Sequence, residues 1–216
     1  MKQMVENVYV ELAPLFPGFH LNTSEEGFLR PIARGTQKLL VPFVDLHPSY
    51  TFSLLCCVRL DEVEDICNIF NPAPPHYHRM TLTSVTPLKY FGQPEEYSFS
   101  TNQGLKEAAT NLATISSDIL RFMDQYQGVR ALHDAMNSEE GSRFDISSNP
   151  GKAMRAVVLA RLCSYADFTV ARSRQEGFIG DWQEEDRKRF SALVTYLERM
   201  DNAHQGGVGD QPQEAD

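Results

Sequence analysis

The 216 residues predict an α+β fold: an N-terminal helix and a four- to five-stranded antiparallel sheet, followed by a C-terminal helical half. Two observations carry this. Up to about Thr101 apolar residues alternate with a period of two between turn-forming clusters, and beyond it they recur with a period near 3.6. The strands also come as one run before the helices, instead of alternating with them, which argues against a parallel βαβ order. The expected organisation is a sheet lobe over 1–101 and a helical lobe over 102–200, sharing one core or holding two. A tail over 201–216, rich in Gly, Gln and Asp without hydrophobic period, is expected to be disordered.

Met4, Val8 and Leu12 share one helical face, and Pro14 with Pro17-Gly18 closes that helix. Residues 19–32 alternate around Asn22-Thr23-Ser24 and read as a hairpin whose second arm carries Phe28 and Ile32. A strand follows from Gln37 to Leu46, at an edge or interrupted at Pro42, which has no N–H for a ladder. From Tyr50 to Arg59 the alternation is cleanest, and one central strand is expected, with Tyr50, Phe52, Leu54, Cys56 and Val58 on one face. Asp61 and Glu64 suggest a capping box on a short helix with Val63, Ile66, Cys67 and Phe70 inward. Met80–Val85 and Tyr97–Ser100 read as the last strands.

Leu105, Ala108, Leu112, Ile115, Ile119 and Phe122 follow 3-4-3-4-3 spacing, which predicts one long helix. Val129, Leu132 and Met136 mark a short second helix, and 137–150 reads as a loop. A third helix is expected over about 152–174 with Met154, Val158, Leu162 and Tyr165 inward. A fourth, with Asp181 and Glu184 as its capping pair, carries Phe190, Leu193, Leu197 and Met200.

The formal charge is −9: −4 in residues 1–101 (7 Lys/Arg against 11 Asp/Glu) and −5 in 102–216 (13 against 18). An acidic surface repels phosphate backbones, so nucleic acid is a poor partner and a basic protein a good one. Cys56 and Cys57 are adjacent and point to opposite faces, while Cys67 and Cys163 sit in apolar helical patterns, so the thiols read as reduced and the compartment as cytoplasmic. Glu6 occupies what would be the apolar core of a signal peptide, and the Leu54–Val58 run is too short to span a bilayer.

No catalytic residue is assigned and no cofactor is implied. His76 and His78 form an H-x-H pair that, on a strand, would put both rings on one face, a weak metal candidate without further ligands nearby. Cys57 or Cys163 would be a nucleophile only with His20, His47 or His133 beside it. Tyr126, Arg130, Arg143, Arg172 and Arg174 could line a groove between lobes. The stronger feature is Asp61, Glu62, Glu64 and Asp65 at one helix start. The helix dipole accounts for one or two acids there, and the others would form a negative patch beside a Pro-rich 71–78 loop presenting Phe70 and Tyr77. An acidic patch next to aromatic anchors suits a protein-binding surface.

In the order of its elements the chain resembles small bacterial proteins found among polymorphic-toxin immunity families. The resemblance rests on Phe28-Leu29-Arg30, Gln37-Lys38, the strand Tyr50–Arg59 running into Leu60-Asp61-Glu62-Val63-Glu64, and the helix Leu105–Met123, and spans about residues 4–200. It implies a non-catalytic cytoplasmic protein that neutralises a partner toxin. Together with the charge, this leads to the expectation of a binding protein facing a basic, nuclease-like toxin. The alternatives are a small hydrolase or metal-dependent enzyme with an unrecognised site, and a structural or adaptor subunit.

Overall fold

A computed structural model describes residues 2–138 and 149–200; Arg143, most of the 137–150 loop and the 201–216 tail lie outside them. Helix α1 (Lys2–Leu12) buries Val8 and Leu12, as their spacing requires. Strands β1 (His20–Asn22), β2 (Gly27–Ile32), β3 (Gly35–Leu40), β4 (Phe43–Leu46), β5 (Ser49–Ser53) and β6 (Leu55–Leu60) follow, then α2 (Asp61–Ile69). The short strands β7 (Ser84–Pro87) and β8 (Glu96–Phe99) complete the first half. All pairing is antiparallel, in a five-stranded sheet ordered β1-β2-β3-β6-β7 and a three-stranded one ordered β4-β5-β8.

The two sheets share one long hairpin. Gly35 pairs with Leu60 and Leu40 with Leu55, then Phe43 with Phe52 and Leu46 with Ser49, in one unbroken register. Between β3 and β4 the ladder is interrupted at Val41-Pro42, as the missing proline donor predicts, and Leu54 leaves it on the other arm. Ser53 N–H still donates to the Pro42 carbonyl (3.0 Å), so the arms stay together while the ribbon changes sheet. The expected single strand from Tyr50 to Arg59 is therefore two. Its inward face survives the break: Phe52, Leu54, Cys56 and Val58 are all fully buried. The tip is a two-residue turn with a cis His47–Pro48 peptide. At Gly27 a Cβ would lie 2.2 Å from the Leu39 carbonyl oxygen, so only glycine allows β2 its approach to β3.

The helical half consists of α3 (Asn102–Ala113), α4 (Ser116–Gln125), α5 (Val129–Asn137), α6 (Pro150–Cys163), α7 (Tyr165–Glu176) and α8 (Glu184–Arg199). The expected long helix breaks at Thr114-Ile115 into α3 and α4, and the expected third helix breaks at Ser164. There the Ser164 hydroxyl accepts from Asp167 N–H (3.0 Å) and caps α7. Tyr165 is consequently half exposed, not inward. Neither proposed capping box forms: Leu60 and Gln183 occupy the cap positions, without side-chain bonds.

Helix α6 is buried on nearly every side, from Ala153 to Arg161, and packs on α2, α5, α7 and α8. A helix buried on nearly every side belongs at the centre of the helical layer. The buried side chains form one continuous cluster from Val8 through Leu54, Leu112 and Val158 to Leu197, so both halves contribute to the same core.

Candidate interaction surface

Of the four acids at the start of α2, three face outward and one does not. Glu64 is fully buried. Its carboxylate takes a bidentate pair of hydrogen bonds from Arg155 of α6 (Nε to Oε1 2.8 Å, Nη2 to Oε2 2.7 Å) and another from the Thr83 hydroxyl (3.0 Å). Thr83 Oγ1 in turn accepts from Leu60 N–H (2.9 Å). Burial opposes the Arg155 charge, but hydrogen bonding and attraction to Glu64 more than offset this, and its pKa is raised. Glu64 is therefore a strut between α2 and α6, not part of a contact patch. Asp61 pairs with Arg59 (2.9 Å) and Glu62 with Arg34 (3.1 Å) on the surface, while Asp65 is exposed with no ion pair among the described residues.

The adjoining segment is held in place. Residues Pro75–Met80 form a 3-10 turn, not the start of a strand. Arg59, the one charge in an otherwise apolar strand, reaches out of β6 and donates from Nη1 to the His78 carbonyl (3.0 Å), the Thr81 carbonyl (2.9 Å) and Thr81 Oγ1 (2.9 Å). Asn68 of α2 donates to the His78 carbonyl and Thr81 Oγ1 (both 3.2 Å). Asn71 closes an Asx turn on Ala73 N–H (3.0 Å), and His78 Nε2 donates to the Ala73 carbonyl (2.8 Å).

On this fixed backbone Tyr77 is 51% and Met80 68% exposed, and Ile69 at the end of α2 is 58% exposed. The His76 ring lies tilted against Tyr77, ring centroids 4.1 Å apart. Phe70 is half-buried edge-on against Tyr196 of α8, so it is not presented to solvent as Tyr77 is. His76 and His78 thus do not share a strand face, and among the described residues no group of three or more His, Cys, Asp or Glu could hold a metal ion.

The two thiol candidates fall in different places. Cys57 is buried, its thiol pushed up to about 12 by desolvation, and His20 and His47 sit at exposed positions. Cys163 and His133 belong to one half-open cluster with Arg130, Asp134 and Asp167. Arg130 bonds Asp167 (2.9 Å) and Asp134 (3.1 Å), and His133 Nε2 lies 3.8 Å from Asp167. Burial is the largest influence on both Cys163 and His133, raising the thiol and lowering the imidazole. Of the five groove residues, Arg130 pairs across α5 and α7, and Arg174 donates to the Asn137 carbonyl at the far end of α5. Arg172 pairs with Glu176 and Glu198, and Tyr126 is buried. Among the described residues, no common groove gathers these four.

Arg59, Asn68, Ile69, Met80 and Arg155 were not singled out from the sequence. A lone arginine in an apolar strand and two asparagines flanking a proline-rich segment were the available signals. No family model, curated protein or solved structure matches the chain.

Proposed function

We propose that this chain is a non-catalytic protein-binding module whose contact surface is the 71–81 platform with the outer side of α2. The observation that carries the reading is an exposed apolar set, Ile69, Tyr77 and Met80, beside a backbone fastened by Arg59 and Asn68. A fastened segment loses little further freedom on binding, so more of its contact energy goes into affinity. Along one margin Asp65 has no ion pair among the described residues, Asp61 and Glu62 beside it are each paired with an arginine, and the chain as a whole carries −9. The partner this surface suits is a basic protein; in its most specific form, the chain neutralises a basic, nuclease-like toxin in a bacterial cytoplasm.

The test is binding of a basic protein encoded next to this chain, by calorimetry and stopped-flow. Association with the wild type is expected to be fast and to slow as salt rises. The Tyr77→Ala, Met80→Ser double variant is expected to lose at least about tenfold in affinity. Charge reversal at Asp61, Glu62 and Asp65 is expected to flatten the salt dependence. Wild-type affinity in both variants would remove this surface from the interface, and failure to bind or protect against any such neighbour would remove the immunity reading.

A further inference from the structure

Between the edge strand β7 and the first turn of α6 lies a cavity of about 260 Å³. Its two kinds of wall ask for different things. One is apolar: Met80, Leu82, Val85 and Met136. The other is made of donors: Ser84 and Lys152, beside the α6 N-terminus capped by Asn149. Ser84 is only 6% exposed, yet among the described residues its hydroxyl has no hydrogen-bond partner. Ser84 lines the cavity, and its hydroxyl is free to donate to a ligand that accepts from it. Lys152 likewise makes no ion pair among the described residues.

Arg155 also borders the cavity, but Glu64 and the Gly151 carbonyl (2.9 Å) already occupy its donors, and Glu64 neutralises it. Among the described residues the cavity therefore offers one cation without an ion pair, one hydroxyl without a partner and a positive helix end. That set matches a monoanion better than a phosphate, which recruits forked arginine donors and more than one charge. The volume lies just under the ~300 Å³ at which ligand pockets begin, so the ligand is small.

We infer that this cavity binds a carboxylate carried on a short apolar body, with Lys152 and Ser84 holding the carboxylate and the Met80, Leu82, Val85 and Met136 wall holding the hydrocarbon. Two sources share that chemistry: a free short-chain carboxylic acid, and the C-terminal carboxylate of a chain ending in an apolar residue.

The probes are 4-methylpentanoate, the dipeptide N-acetyl-alanyl-leucine, and 4-methylpentanamide, each titrated into the full chain and followed by amide NMR. Saturable shifts at Ser84 and Lys152 are expected for at least one carboxylate and not for the amide. Lys152→Gln is expected to weaken binding about tenfold and Ser84→Ala at least about threefold. Tighter binding of the free acid assigns the small-molecule source, and tighter binding of the dipeptide assigns the chain end. Tyr77→Ala should leave the titration unchanged, because Tyr77 does not border the cavity, whereas Met80 belongs to both surfaces. Thermal melts of Lys152→Gln and Ser84→Ala establish that each is folded; should one not be, the other decides. No saturation by either carboxylate up to about 10 mM, equal binding of the amide, or wild-type affinity in a folded variant would overturn the assignment.

Discussion

Arg155 and Arg130 do the same thing in opposite surroundings. Each joins two helices through carboxylates, and each has a protonated thiol nearby: Cys67 beside Arg155 and Glu64, Cys163 beside Arg130 and Asp167. Arg155 meets the fully buried Glu64, 91 positions away in sequence, and its own side chain is 17% exposed. Arg130 meets Asp134 and Asp167 with its side chain 65% exposed. Inside the protein neither partner can return to water if the other is lost, so the inner pair locks α2 to α6. At the surface water and salt replace a lost partner readily. The chemistry of a pair does not tell its structural weight; burial does.

The largest expected effect breaks the inner pair. Glu64→Ala leaves Arg155 charged and unpaired in a mostly buried position, and a loss of about 3–5 kcal/mol is expected in urea denaturation. Replacing both partners together, Glu64→Leu with Arg155→Met, is expected to recover most of that loss, because no charge is stranded. If the double variant is as unstable as the single, the pair is stabilising in itself and not merely costly to break.

His133 sharpens the comparison through pH. Burial holds its pKa below 6.5, with Asp167 and Asp134 pulling the other way. Asn137 Nδ2 donates to Nδ1 (3.0 Å), which suits the neutral ring. As pH falls below 6.5 the unfolded chain therefore takes up the proton before the folded one, and stability declines down to the folded pKa. The urea midpoint should fall over that window in the wild type and less in His133→Gln. A folded pKa at or above 6.5, from NMR titration of the ring, would contradict this.

Arg130→Ala should change the midpoint least, with the difference from wild type disappearing in high salt. A salt-insensitive loss would mean that the outer cluster is structural. The cysteines report the same contrast by mass spectrometry after alkylation. Cys163, half-buried, should label in the native state. Cys67, its thiol pushed up to about 12 by desolvation, should label only on opening, and faster in Glu64→Ala.

Much of this architecture was legible from periodicity. The faces of α1 and α8, the interruption at Pro42 and the antiparallel order all follow from local rules. The errors have a common origin. From Tyr50 to Arg59 the alternation is uninterrupted because the inward face stays inward across Leu54, so nothing local marks the change of sheet. The 3.6-residue rhythm likewise continues through Thr114-Ile115, since α3 and α4 face the same core. Glu64 was misplaced because three neighbouring acids disguised it as one of a charge run, and its partner lies 91 positions further on.

The sequence alone determined where the apolar faces lie, where strands give way to helices, the net charge, and the proline that bends the long hairpin. Those properties are local, or sums over the chain. Tertiary structure decided which acid is buried, which loop is fastened, that one core serves both halves, and that Ser84 and Lys152 line one cavity. Each of these depends on groups brought together from distant positions, and a charged or hydroxyl side chain takes its energetic meaning from the water it loses there.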